Sequence, residues 1–111
     1  MNDDRAESAS QEVWYRVADR GEVRDGSIKS AVAAGKPIVL VCVGGRYGAL
    51  DARCPHAGGP LADGMLENGL LVCPWHGREY DPFDGRCEGY TPVAAHKVEV
   101  RSDGIYVAIS D

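Results

Sequence analysis

Residues 54–77 read CPHAGGPLADGMLENGLLVCPWHG, and the two ends of this stretch follow one pattern. Cys54-Pro55-His56 opens it and Cys73-Pro74-Trp75-His76 closes it, with sixteen residues between His56 and Cys73. Each end sets an imidazole close behind a thiol. Each also places a proline directly after the cysteine, where its fixed φ stiffens the loop. Thiolates and imidazoles are ligands for transition metals, so the pattern predicts two loop tips that jointly hold metal. Between them, residues 65–67 and 70–72 flank Asn68-Gly69, a dipeptide suited to the positive φ of a tight hairpin. That hairpin would join the two loops and present them side by side.

Outward from this stretch the chain reads as short strands separated by turns. The candidates are 13–18, 28–32, 37–43, 47–52, 65–67, 70–72, 78–81, 97–101 and 105–109, as a set rich in β-branched and aromatic residues and mostly too short for helices. Gly44-Gly45, Asn68-Gly69, Asp84-Gly85 and Asp103-Gly104 supply turn signals between them. A short alanine-rich segment, 30–35, is the one helix candidate. Residues 1–12 hold five charges and little apolar content, and are expected to be a flexible tail. The remainder, 13–111, is expected to be a single all-β, antiparallel domain, since 111 residues support one modest core.

The bulk composition excludes several functions. A formal net charge of −5 argues against a nucleic-acid partner, because phosphate neutralisation calls for a basic surface. The longest apolar run, 38–43, falls far short of the ~20 residues that span a bilayer. The acidic start of the chain does not resemble a secretory signal, so a cytoplasmic location is expected. A reducing cytosol disfavours disulfides among the four cysteines. Cys42, inside the apolar run, reads as a buried core thiol, and Cys87, between Arg86 and Glu88, as a bystander on a polar segment. Charge is unevenly spread: residues 13–53 carry a net +3 and residues 54–90 a net −4. The acidic excess around the ligand loops would steer a basic partner toward them.

Two Cys and two His could hold a structural zinc. Cys54 and His56, however, are separated by a single residue, which is tight for two ligands of one tetrahedral ion. A [2Fe–2S] cluster in which histidines replace cysteines on one iron removes the crowding. Cys54 and Cys73 would then bind one iron and His56 and His76 the other, so that each loop spans both metals. Gly58, Gly59 and Gly77 lie beside the ligands, where backbone N–H groups can approach bridging sulfides. Pro60 would shape the exit from the first loop.

On these motifs the chain, over about residues 13–109, resembles a Rieske-type ferredoxin of the kind that serves aromatic-ring-hydroxylating and other non-haem iron oxygenases. The resemblance implies an antiparallel β-sandwich with the cluster loops at one tip, and His56 and His76 as the solvent-facing ligands. It also implies that Tyr90-Thr91-Pro92 forms a third loop over the cluster. Respiratory members carry an extra disulfide whose positions match Gly59 and Trp75, so this chain lacks it. Their serine donor to a bridging sulfide is matched by Arg78, and their tyrosine donor to a ligand thiolate by Tyr80. Loss of the serine predicts a potential in the lower part of the roughly −150 to +300 mV Rieske range. Trp75 reads as either an apolar shield or a partner contact, Trp14 as an edge of the core, and His96 as structural or surface.

With His56 and His76 committed, only His96 remains, too few for the two-histidine, one-carboxylate iron site of an oxygenase. No G-x-G-x-x-G turn for a dinucleotide is present. The expectation is a monomeric one-electron carrier. It would receive electrons from a flavin-containing, NAD(P)H-dependent ferredoxin reductase and pass them to a terminal oxygenase, with no membrane partner. Alternatives are the small subunit of an NAD(P)H nitrite reductase and a cluster-dependent redox sensor. Fe(III) should acidify the remaining N–H of its imidazole ligands, so the midpoint is expected to fall with rising pH in the alkaline range. A potentiometric midpoint flat from neutral to strongly alkaline pH would contradict that coupling.

Overall fold

The computed structural model describes residues 12–55 and 58–110. The expected tail lies outside them except for Glu12, whose carboxylate pairs with Lys97 Nζ at 2.7 Å. Nine strands form among the described residues: β1 (Tyr15–Ala18), β2 (Ile28–Ala33), β3 (Lys36–Val43), β4 (Arg46–Asp51), β5 (Met65–Glu67), β6 (Leu70–Val72), β7 (Glu79–Tyr80), β8 (Ala95–Arg101) and β9 (Gly104–Ala108). Every pairing is antiparallel. Six strands make one sheet in the order β1-β9-β8-β4-β3-β2, and β5-β6-β7 make a second. The large sheet curls until Cα atoms of its edge strands β1 and β2 come within 8 Å of each other.

Strand β3 explains the unalternating apolar run. Side chains of a strand point to opposite faces, and here both faces are covered. Ile38, Leu40 and Cys42 enter one apolar cluster with Ala49, Ile105 and Val107, inside the curl of the large sheet. Val39 and Val41 enter the other with Leu50, Leu61, Leu71 and Tyr80, where the small sheet packs. Each fully buried Leu or Ile contributes roughly 1.5–3 kcal/mol, so β3 ties the two layers together. Cys42 is buried, as its neighbours in sequence imply.

Residues 30–35 are not helical. Ser30, Ala31, Val32 and Ala33 pair with Val39, Ile38, Pro37 and Lys36 across the β2–β3 ladder. Ala34 (φ 55) and Gly35 (φ 75) then make a two-residue turn with both φ positive, the hairpin geometry that matches strand twist. Six residues cannot repay the cost of helix nucleation, whereas β3 offers a ready partner ladder. The β5–β6 hairpin turns the same way through Asn68 (φ 52) and Gly69 (φ 80).

His96 is structural. Its side chain is fully buried, Nε2 lies 2.8 Å from Asp51 Oδ1, and Nδ1 accepts the Ser110 N–H at 3.0 Å. The ring thus ties β4 and the end of the chain beyond β9 to β8. His96→Leu removes both bonds, while Asp51 keeps Lys36 Nζ at 3.4 Å, and is expected to cost about 1–2 kcal/mol. An unchanged urea midpoint would contradict that role. Trp14 is half-buried, with the Arg101 guanidinium 5.7 Å over its ring. Among the described residues no helix is long and apolar enough to cross a membrane.

Candidate metal centre

The two ligand loops share one backbone plan, written in the sequence as Cys-Pro-x-x-Gly at 54–58 and again at 73–77. In the first, Gly58 N–H donates to the Cys54 carbonyl at 2.7 Å and Cys54 N–H to the Gly59 carbonyl at 2.9 Å. In the second, Gly77 N–H donates to the Cys73 carbonyl at 3.0 Å and Cys73 N–H to the Arg78 carbonyl at 2.9 Å. Both closures need a left-handed residue, supplied by Gly58 (φ 72) and Gly77 (φ 73), a backbone conformation that favours glycine. Arg53 Nη1 adds a 3.0 Å bond to the Gly58 carbonyl. The β5–β6 hairpin runs between the loops, as its turn signal implies.

These loops hold both cysteines at the bottom and the described histidine at the top. Cys54 and Cys73 are each 1% exposed and belong to one apolar cluster, whereas His76 is exposed. His56 and its neighbour Ala57 lie outside the described residues. Tyr80, fully buried on β7, places its Oη 2.8 Å from Cys54 Sγ. Burial first, then the hydrogen bond to Cys54 and the nearby thiols, pushes the phenol above the ordinary tyrosine range. Tyr80 therefore keeps its proton at physiological pH and is the donor to a Cys54 thiolate.

Gly59 lies against both Cys73 and Trp75. A Cβ there would sit 2.9 Å from Cys73 Sγ and 3.2 Å from the indole. The two positions matched to the respiratory disulfide are thus neighbours in space. The indole, 55% exposed, packs over the bare glycine backbone.

Cys87 departs from its sequence reading. It is buried and shares the apolar cluster of Cys54, Cys73 and Tyr80, while Arg86 and Glu88 on either side are exposed. Burial pushes its thiol up, opposed by a backbone hydrogen bond from Glu79 and by the charge of Arg78. Polar flanks concealed a two-residue alternation with one buried member.

The segment after Cys87 returns to the loops. Tyr90 N–H bonds the Cys87 carbonyl at 3.0 Å, and the Arg78 guanidinium stacks on the Tyr90 ring at 3.9 Å. His76, Gly77, Arg78, Glu88 and Tyr90 line one groove of about 290 Å³. The third loop expected at 90–92 thus borders His76. The carboxylates Asp63, Glu67, Glu79 and Glu88 of this acidic segment are all exposed.

The donor set fits a [2Fe–2S] cluster. Two buried thiols with a phenol beside one of them, and the exposed His76 imidazole, are the donor types that would hold such a cluster, thiolates on one iron and imidazoles on the other. The family profile of the Rieske [2Fe-2S] domain matches residues 13–108. A 76-residue stretch is 40% identical to cholesterol 7-desaturase nvd 1 of Ciona intestinalis, covering 67% of this chain but only 16% of that protein. The ferredoxin CarAc of Metapseudomonas resinovorans is 26% identical over 103 residues, 87% of this chain and 94% of that one. The solved ferredoxin of carbazole 1,9a-dioxygenase from Nocardioides aromaticivorans superposes with a TM-score of 0.81 at 25% identity, over 88% of this chain and 99% of that one.

The chain belongs to the Rieske [2Fe-2S] domain family. Its sandwich is the Rieske ferredoxin fold, and the family implies one [2Fe–2S] cluster.

Proposed function

We propose that this chain is a cytoplasmic one-electron carrier, a single domain over residues 13–111. Cys54 and Cys73 hold one iron of its cluster, and His56 and His76 hold the other. When bound, the cluster takes up and releases a single electron. Its electrons come from a flavin-containing, NAD(P)H-dependent ferredoxin reductase and go to a terminal Rieske non-haem iron oxygenase.

The observation that carries this reading is the arrangement of the loops, with thiols buried and His76 at an exposed tip beside Trp75 and Tyr90. The remaining histidine, His96, is bonded to Asp51 and Ser110 within the sheet, which leaves no pair of histidines for a mononuclear iron. The likeness in length and fold to a ferredoxin of a carbazole dioxygenase supports an oxygenase as the acceptor.

Reconstitution tests it. NADH and a flavin ferredoxin reductase from the same source should bleach the visible band of the protein, and the terminal oxygenase with its substrate should restore it. Bleaching by dithionite but not by the reductase would contradict the carrier role. Copurification with a large sirohaem subunit would instead support the nitrite reductase alternative.

Tyr80→Phe should keep the cluster and lower its midpoint. A hydrogen bond to a thiolate favours the more negative, reduced state. A net difference of about 1 kcal/mol corresponds to about 40 mV for one electron. An unshifted midpoint would show that the 2.8 Å contact has no electronic role.

A further inference from the structure

Residues 54–90 carry a net charge of −4 and only two arginines. One of them, Arg78, follows the second ligand loop directly, and its carbonyl accepts the Cys73 N–H. Its side chain is half-buried and lies face-on to Tyr90, 3.9 Å from the ring centroid. Glu79 and Glu88 line the same groove as Arg78 and His76. Among the described residues, however, Arg78 makes no ion pair within 4 Å. The aromatic ring, and not a carboxylate, holds the guanidinium, so its full charge stays beside the ligand loops. Its charge opposes, without outweighing, the burial that pushes the Cys87 thiol up.

We propose that Arg78 is a fixed cation that raises the reduction potential of the cluster, and that Tyr90 is the positioning residue that keeps it there. The proposal rests on the ligand assignment above. One-electron reduction adds one negative charge at the cluster, and a nearby cation favours the charged product. An arginine has many rotamers and would otherwise extend into water, where salt screens it. Stacking on a ring face restrains it without neutralising it.

Redox titrations of the holo wild type, Arg78→Gln, Arg78→Lys, Tyr90→Phe and Tyr90→Leu, each checked for an unchanged EPR line shape, test this. Arg78→Gln should shift the oxidised–reduced equilibrium about fivefold toward the oxidised state, tenfold being 59 mV for one electron. Arg78→Lys should retain more than half of the difference. Tyr90→Phe should match the wild type, and Tyr90→Leu should move toward Arg78→Gln. Raising ionic strength should narrow the gap between the wild type and Arg78→Gln. Equal midpoints for the wild type and Arg78→Gln, or an equal shift in Arg78→Lys and Arg78→Gln, would overturn the proposal while leaving the ligand assignment intact. A wild type lacking the Rieske signal would remove both.

Discussion

Cys54→Ser and Cys73→Ser are each expected to abolish the EPR signal of the reduced protein, whereas Cys42→Ser and Cys87→Ser retain it. All four cysteines are buried, so burial does not distinguish ligands from bystanders. The backbone does. Cys54 and Cys73 each open a Cys-Pro-x-x-Gly turn closed by matching hydrogen bonds and a left-handed glycine. Cys42 sits near the end of β3, opposite Tyr47 in the β3–β4 ladder. Cys87 faces the same apolar cluster as the ligands but belongs to neither turn. Iron–sulfur clusters are held by thiolates, so a serine at either ligand position should empty the site. At Cys42 or Cys87 the same change only buries a hydroxyl, at a cost of roughly 1–3 kcal/mol. Iron content and EPR of the four variants decide the matter. Loss of the cluster in a folded Cys87→Ser protein would make Cys87 a ligand.

Gly48→Ala should be among the most damaging single-methyl changes at the described residues. Gly48 lies in β4, and a Cβ there would sit 1.9 Å from the Pro82 carbonyl oxygen and 2.8 Å from its carbon. Both obstacles are backbone, so no rotamer relieves them. Pro82 lies within a turn in which Asp81 Oδ1 accepts the N–H groups of Phe83 and Asp84, and Gly85 N–H bonds the Asp81 carbonyl. That turn leads into the third loop. Separating it from β4 would displace the loop that borders His76. Overpacking against backbone costs about 3 kcal/mol or more, a large share of the ~5–15 kcal/mol that stabilises a typical domain. Gly21, with open space around it and no positive φ, is the control: Gly21→Ala should leave the thermal midpoint within about 2 °C. Similar melting of the two variants would show that β4 and the Pro82 segment can part without cost.

Much of the architecture was legible in the residues. Each strand expected from the turn dipeptides and apolar runs has a counterpart: 65–67 and 70–72 match at both ends, and the others are displaced by one or two residues, because local patterns mark turns better than ladder ends. Residues 30–35 misled because alanine favours helix locally, while the partner strand that overrides it comes later in the chain. The burial of Cys87 was hidden by its charged neighbours.

Parts of the candidate site needed the fold. The Arg78–Tyr90 stack spans twelve positions and arises only when the third loop closes over the second. The partners of His96, Asp51 and Ser110, come from separate elements. The place of Tyr80 beside Cys54 was suggested by family resemblance, since nothing in residues 78–81 alone points a phenol at a thiol 26 positions away.

The most direct measurement is an EPR-monitored redox titration of the anaerobically purified protein. The carrier reading predicts that reduction produces the low average-g signal of a histidine-ligated [2Fe–2S] cluster. Its midpoint should lie below about +100 mV, within the roughly −150 to +300 mV span of such centres. A metal-replete sample that contains zinc and gives no signal on reduction would contradict it.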